Sequence, residues 1–359
     1  MQKTSRLMKS LFFGLFVLAV LVAGTAFGPQ PTSASLSDTD SLAELLERLG
    51  DTPLPHRPDF SLPGVSAERG REIVLRGITG KPKGGRIGKQ SKHFECTACH
   101  NVEREDPDLA RVDPRGRLAY VVERGLPYLP GTTLYGVVNR TSYYNGDYEK
   151  KYGELVKPAR NDLREAIQLC AVECSQGRRL KDWELESVLA YLWTLELRLS
   201  DLRLSPEEKA TVQRALEGQA DRAAAVALLK SRYLQGAPAT FGTPPEDRRL
   251  GYQAEGAVRS GDPDTGRLLY EHSCLHCHEN QRYAFFNLDD SALSFRFLEK
   301  HLGDYSRYNL YQVVRYGTQP LPGKRAYMPN YTLEKLPDDM VEDLRAYIEL
   351  RAGKWTASQ

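Results

Sequence analysis

Two short stretches of the chain share the pattern Cys-x-x-Cys-His. The residues that define it are Cys96, Cys99, His100, Cys274, Cys277 and His278. In this pattern two thiols form thioether bonds to the vinyl groups of a haem, and the adjacent imidazole reaches the iron as its proximal ligand. The order matters, because the covalent anchors hold the porphyrin over the imidazole. The chain is therefore predicted to bind two c-type haems covalently.

Such a pattern can also belong to a zinc site or a thiol redox site, or arise by coincidence. A zinc site made of two Cys-x-x-Cys pairs does not require a histidine directly after each pair. Coincidence accounts poorly for two copies in a chain that has only six cysteines. With four cysteines assigned to haem, Cys170 and Cys174 need a separate role.

The surroundings of the motifs divide the chain into five parts. They are a signal peptide or N-terminal membrane anchor (residues 1–30), a tether (31–64), a first unit (65–200), a helical spacer with a linker (201–259) and a second unit (260–355). The length after the signal segment allows two domains of ordinary size. Within the tether, Ser41 followed by Glu44 predicts a short helix over residues 41–49.

Helices are predicted at the start and at the end of both units. The first unit opens with a helix at residues 66–73. In the second unit, Asp262 is a helix cap and Pro263 occupies the first helical position, where its missing N–H has no cost. Amphipathic stretches at residues 183–192 and 341–348 close the two units. The predicted fold class is therefore mostly α-helical, with two similar units in tandem.

The segment between the units is predicted to be a helical spacer followed by a flexible linker. Ser205, Pro206 and Glu208 form a helix start, and an Ala/Leu-rich helix continues to about Tyr233. Residues 236–245 are rich in Pro, Gly and Thr, a composition that favours a flexible joint.

The repeated unit resembles the class I cytochrome c domain. In that family an N-terminal helix crosses a C-terminal helix beside the haem. Gly70 and Gly266 match the small residue that permits the close crossing, and Tyr191 and Tyr347 match its aromatic partner. The resemblance implies two class I cytochrome c domains joined by the spacer.

The N-terminus predicts export. Lys3, Arg6 and Lys9 precede an uncharged apolar run over residues 11–27, which is typical of a secretory signal. The run is also close to membrane-spanning length, so an uncleaved anchor is the alternative. In bacteria, cytochromes c receive their haem outside the cytoplasmic membrane, which implies a periplasmic protein, either soluble or tethered. A net charge of +2 gives no reason to expect nucleic acid as a partner.

The distal ligand of the second haem is predicted to be Met328. The chain has four methionines, of which two lie in the signal segment. Met328 precedes Pro329 between His278 and the closing helix, which matches the Met-Pro loop of class I cytochromes c. Met340 lies on the predicted closing helix, where a core position is expected.

The first unit contains no methionine, so the distal ligand of its haem must be another residue. His56, His93, Cys170, Cys174, a Lys and a Tyr are the candidates. The two cysteines stand just before the closing helix, where a distal ligand is expected. Two buried thiols or a local disulfide are the structural alternatives, although an i,i+4 pair on a helix has poor disulfide geometry.

The stretch around these cysteines resembles the Cys-ligated haem segment of diheme thiosulfate dehydrogenases. Alignment on Gly177 and Arg178 places Cys170 at the ligand position and Cys174 where that family more often has Ser. The resemblance implies thiolate ligation of the first haem by Cys170, with Cys174 as the alternative. This chain departs from the family in its long Tyr-rich insert before Cys170.

The first unit also carries a basic loop (residues 77–94) just before its haem motif. The loop contains no acidic residue, and its cations are Lys81, Lys83, Arg86, Lys89 and Lys92. Such a loop could steer an acidic partner or an anionic substrate, or be an ordinary solvated surface loop.

These observations together imply an electron carrier in a respiratory or sulfur-linked redox chain. Electrons are expected to pass from the His/Cys haem to the His/Met haem, with redox proteins as partners. One alternative is an enzyme that oxidises a small sulfur anion at the first haem. A diheme peroxidase is the other, but no segment resembles that family beyond the haem motifs.

Overall fold

The computed structural model describes residues 35–254, 257–258, 261–318 and 327–355. The predicted signal segment and residues 319–326, which precede Met328, lie outside the described residues. The helices within them are α1 (Leu42–Arg48), α2 (Ala67–Arg76), α3 (Pro114–Glu123), α4 (Tyr148–Tyr152), α5 (Val156–Ala159), α6 (Leu163–Leu169), α7 (Asp182–Trp193), α8 (Pro206–Leu216), α9 (Arg222–Lys230), α10 (Pro263–Leu269), α11 (Leu275–His278), α12 (Ala292–Lys300), α13 (Leu310–Tyr316) and α14 (Asp338–Arg351).

Extended structure is minor in the described residues. Gln253–Ala254 (β1) pairs antiparallel with Ala257–Val258 (β2). The predicted mostly α-helical fold class is confirmed. In the described part of the chain, every helix is too short or too polar to cross a membrane.

The helices begin where the sequence predicts. The Ser41 hydroxyl accepts a hydrogen bond from the Glu44 N–H at 3.2 Å, and Ser66 caps α2 in the same way. The Asp262 carboxylate caps α10, whose first residue is Pro263. Each cap satisfies N–H groups that have no partner inside the helix, which fixes the entry of the chain into the helix.

The opening and closing helices of each unit cross at a glycine. A Cβ atom on Gly70 would overlap the Ser187 carbonyl oxygen and lie 2.9 Å from Tyr191 Cβ. A Cβ atom on Gly266 would meet Asp343 and lie 2.8 Å from Tyr347 Cβ. Because only glycine leaves room for such contact, α2 packs on α7 and α10 packs on α14 with their backbones touching. These are the pairs of residues that the sequence pattern predicts.

The spacer packs on the tether to form a third core. Leu42 and Leu45 of α1 are buried against Val212 of α8 and Leu229 of α9. The expected continuous helix to Tyr233 is wrong, because the chain breaks into two helices. Gly218 lies in the left-handed region with φ +75°, which ends α8. The Asp221 carboxylate then caps α9.

The predicted flexible linker is bonded to both units near its middle. The Asp147 N–H of the first unit donates to the Ala239 carbonyl at 2.8 Å, and the Leu333 N–H of the second unit donates to the Thr240 carbonyl at 2.9 Å. These bonds replace solvation of the linker backbone and fix it against both units. The composition of residues 236–245 predicts the absence of regular structure there, but not its attachment to the two units.

The two units share a core. Leu118 and Val121 of α3 and the nearby Tyr128 are buried in one cluster with Leu269 and Met340 of the second unit. The Tyr128 N–H donates to the His272 carbonyl at 2.8 Å. From Leu36 onward the chain forms one compact body, so the two units have a fixed relation to each other.

Candidate metal centres

The first Cys-x-x-Cys-His motif lies on a tight turn over Cys96–Ala98. The His100 Nδ1–H donates to the Thr132 carbonyl at 2.6 Å, which leaves Nε2 with its lone pair free to bind a metal. Burial lowers the pKa of His100, so the imidazole is held neutral, the form that binds a metal. The side chains of Cys96 and Cys99 line the same cavity as His100.

The second motif has the same design on a different local structure. A π-turn over Tyr270–Cys274 leads into α11, which carries Cys277 and His278. The His278 Nδ1–H points to the Phe286 carbonyl at 3.4 Å, so Nε2 is again the free nitrogen. Burial raises the pKa of Cys274 to about 12, so its thiol is uncharged at neutral pH.

Met328 and His278 belong to the same cavity of the second unit. Both side chains line this cavity, together with Tyr331. The backbone of Met328 is fixed to Thr318, whose hydroxyl accepts from the Met328 N–H at 2.8 Å. Met340 is fully buried in the core. Met328 thus lines the cavity and Met340 belongs to the core, and ligation by Met328 stays a prediction.

Cys170 and Cys174 both line the cavity of the first unit, which Cys96, Cys99 and His100 also line. They occupy the two ends of a π-turn that follows α6. Both are free thiols. The hydroxyls of Tyr152 and Tyr144 donate to Cys174 Sγ at 3.2 and 3.6 Å. Hydrogen bonds from Cys170 and these tyrosines lower the pKa of Cys174 to about 6.

The two candidate histidines take other positions. Among the described residues that line the first cavity, neither His56 nor His93 is found. His56 is buried, with Nε2 2.7 Å from the Val138 carbonyl and its ring against Trp193. The structure therefore gives His56 a packing role. The two cysteines remain candidates, as do the lysines and tyrosines that also line the cavity, among them Lys151 and Tyr144.

The two cavities share walls. Cys99 and Phe94 line both of them. The Phe94 ring lies 5.8 Å from the Tyr327 ring and 6.4 Å from the Tyr283 ring, both in the second unit. Sequence reasoning missed this junction, since nothing in the spacing of the motifs brings the units together.

A buried ionic cluster, also missed from the sequence, lies behind His100. Glu105 is fully buried, and its carboxylate accepts from the Lys335 ammonium at 2.8 Å and from the Asn101 amide at 2.9 Å. The Arg117 guanidinium lies 3.4 Å from the same carboxylate. The cluster joins the units, because Lys335 belongs to the second unit and the other residues belong to the first.

The donor sets and the shape of both cavities fit a covalently held haem. Each cavity is largely apolar and is lined by the two cysteines and the histidine of a motif and by a further sulfur donor. In the first cavity, Arg140 makes no ion pair with any described residue. A haem would bring carboxylates, the groups that a guanidinium binds best.

The basic loop packs directly on the cysteine-bearing turn. Gln90 Nε2 donates to the Ala171 carbonyl at 2.7 Å, and the Ser91 hydroxyl donates to the Ser175 carbonyl at 2.6 Å. The Arg178 N–H donates to the Gln90 carbonyl at 2.8 Å. These bonds hold the loop in one position at the rim of the first cavity.

The second unit has the elements of a c-type cytochrome, namely crossed helices, a Cys-x-x-Cys-His motif and a methionine across an apolar cavity. Residues 261–348 match the family model described as Cytochrome C oxidase, cbb3-type, subunit III. The chain therefore contains a cytochrome c domain, a haem-based electron carrier with covalently bound haem. No curated protein and no solved structure shows significant similarity to the chain.

Proposed function

We propose that the protein is a diheme cytochrome c that carries electrons in a redox chain, with one haem at each motif. The observation that carries this proposal is that the first unit resembles the second unit. The second unit is the part of the chain that the cytochrome family model matches. Both have a helix crossing at a glycine and a histidine whose Nδ1–H is held by a carbonyl. Both also place sulfur donors across an apolar cavity.

The iron of a bound haem supplies reversible one-electron chemistry. The chain contributes the surroundings that set the properties of that iron. The Thr132 and Phe286 carbonyls orient the two imidazoles, and the apolar walls exclude water. In the first cavity, the Arg140 guanidinium is available to a haem carboxylate.

In this proposal His100 and Cys170 would hold the iron of a haem in the first unit, and His278 and Met328 would hold the iron of a haem in the second. Cys170 is preferred to Cys174 because the resemblance to the Cys-ligated haem segment of diheme thiosulfate dehydrogenases aligns it with the ligand position. The Cys174 sulfur accepts hydrogen bonds from two tyrosine hydroxyls. Cys174 then acts as a neighbour that tunes the ligand.

The shared wall of the cavities supports electron exchange within one chain. Phe94 and Cys99 of the first unit reach the cavity of the second unit, and the units form one compact body. The contrast between a thiolate ligand and a thioether ligand gives the proposed direction of electron transfer. A thiolate donor stabilises the ferric state and a thioether stabilises the ferrous state, so electrons are proposed to enter at the first unit and leave from the second.

Oxidation of a small sulfur anion at the first site is the second candidate function. The observation that favours it is the basic loop, whose end residues Gln90 and Phe94 line the first cavity. A peroxidase function has no comparable support, because no segment of the sequence resembles that family beyond the haem motifs.

The proposed location is the periplasm, with the N-terminal segment acting as a cleaved signal or as a tether. The motif chemistry and the apolar run over residues 11–27 support it. Redox proteins are the proposed partners.

Mass spectrometry of the denatured protein tests the central proposal. Two haem additions are expected, and a variant with Cys96→Ala and Cys99→Ala should retain one. A variant with Cys274→Ala and Cys277→Ala is the matched control and should also retain one. A single haem in the unmodified protein, or haem that extracts into acidified acetone, would contradict the proposal.

A further inference from the structure

The basic loop concentrates positive charge on one face of the protein. All five of its cations are exposed, and only Lys89 has a carboxylate neighbour among the described residues, Glu95 at 3.4 Å. The whole chain has a net charge of +2. Since the loop contributes five cations and no acidic residue, the rest of the chain has a net charge of −3. The molecule therefore carries a strong charge asymmetry.

The loop is built to keep this charge in one place. Gln90 and Ser91 fasten it to the turn that bears Cys170 and Cys174. Near its tip, the Lys81 N–H donates to the Gly85 carbonyl at 2.8 Å, which closes a tight turn. A fixed array of charges loses less conformational entropy on binding than a flexible array does.

The position of the loop links it to the first metal centre. Gln90 and Phe94 line the first cavity, so the C-terminal end of the loop lies at the wall of that cavity. We propose that the basic loop is the docking surface for an acidic redox protein that exchanges electrons with the first unit. This inference rests on the proposed electron-carrier function and names the charge of its partner.

An acidic protein fits this surface better than a small anion or a membrane. The five cations are exposed and none of them lines either of the two cavities described, whereas a small anion would need cations that converge on a pocket. Basic residues alone are attracted to anionic lipid by only about 1 kcal/mol each, and stable membrane anchoring needs a second signal, such as apolar side chains that insert into the lipid. In the loop, Ile87 and Phe94 are buried and therefore cannot insert.

Charge reversal at the loop tests the proposal with flavodoxin, an acidic electron-transfer protein, as the probe. In a variant with Lys81→Glu and Lys83→Glu, the second-order rate of electron transfer from reduced flavodoxin should fall at least tenfold at low ionic strength. The rate of electron transfer in this variant should also change less with salt concentration than the rate of the unmodified protein does. Calorimetric binding of oxidised flavodoxin should weaken in parallel, and this readout does not depend on electron transfer.

The matched control reverses two exposed cations of the second unit, in a variant with Arg296→Glu and Lys300→Glu. It should change the rate and the binding by less than twofold. Equal effects in both variants, or none in either, would overturn the proposal. Binding of the unmodified protein to anionic phosphatidylglycerol vesicles that is lost in the loop variant, without any effect on flavodoxin, would assign the surface to a membrane and also overturn it. Haem counting by mass spectrometry separates failure of this inference from failure of the proposed function.

Discussion

The hydroxyl of Tyr152 lies 3.2 Å from the sulfur of Cys174, and no comparable hydroxyl contact is made by Cys170 in the described structure. The two thiols stand at opposite ends of one π-turn and face the same cavity. The two thiols therefore differ in their hydrogen bonds to tyrosine, although they share one turn and one cavity.

The first prediction separates the two thiols. Cys170→Ala should change the low-spin ferric EPR signal of one haem, because it removes the proposed ligand. Cys174→Ala and Tyr152→Phe should change the signal less, since they remove only a neighbour and its hydrogen bond. A larger effect from Cys174→Ala would move the ligand to Cys174, and no effect from either cysteine would make both structural.

The second prediction concerns Met328. A thioether ligand gives the ferric haem a weak long-wavelength absorption band, as the resemblance to class I cytochromes c implies. Met328→Ala should abolish this band and lower the potential of one haem only. Met340→Ala is the control, because this side chain is buried in the core away from the cavity. Survival of the band without Met328 would refute the assignment.

The third prediction is the order of the two potentials. Thiolate ligation should hold the first haem well below the second, by several times the ~59 mV that corresponds to a tenfold change in a one-electron equilibrium. A spectroelectrochemical titration should resolve two steps, and Cys170→Ala should raise the lower one. Two haems that titrate together in the unmodified protein would count against this order.

The fourth prediction concerns the ion cluster between the units. Glu105→Gln should lower the free energy of unfolding by about 3 to 5 kcal/mol, because it leaves Arg117 and Lys335 without their buried counter-charge. Glu154→Gln is the control, since Glu154 pairs with Lys157 on the surface and should contribute about 1 kcal/mol or less. Guanidinium denaturation followed by circular dichroism measures both.

The same carboxylate predicts a pH dependence. Burial alone would raise the pKa of Glu105, but Arg117 and Lys335 outweigh it and lower the pKa from 4.5 to about 2. A carboxyl group with a lower pKa in the folded state stabilises the fold above pH 4.5, and this contribution is lost as the pH falls toward 2. The stability difference between the unmodified protein and Glu105→Gln should therefore shrink over this range. A constant difference would show that Glu105 acts by packing alone.

The fifth prediction tests the helix crossing. Gly70→Ala should destabilise the protein by about 1 to 3 kcal/mol, because the new methyl group would overlap the backbone of α7. Gly88→Ala is a matched control in the basic loop, where a Cβ atom would meet nothing within 4 Å. The melting temperature of each variant measures the effect, and equal melting temperatures would show that the helices can separate at no cost.

Much of the site follows from the sequence because its chemistry is local. The spacing of Cys96, Cys99 and His100 sets which atoms can reach one haem, whatever the rest of the chain does. Helix starts such as Ser66 and Asp262 are equally local, since a cap satisfies N–H groups two or three residues away. Gly70 and Tyr191 stand out through their place in a repeated pattern.

The relation between the two units depends on contacts that no local pattern records. Lys335 is far from Glu105 in the chain, and the pairing of their charges appears only after folding. The same holds for Phe94 between the two cavities and for the linker, whose composition predicts flexibility while its backbone is bonded to both units. The sequence by itself determined the metal-binding chemistry and the helical plan, because these depend on neighbouring residues. Only the tertiary structure decided that the two centres share a wall, because burial and ion pairing between distant segments are properties of the whole fold.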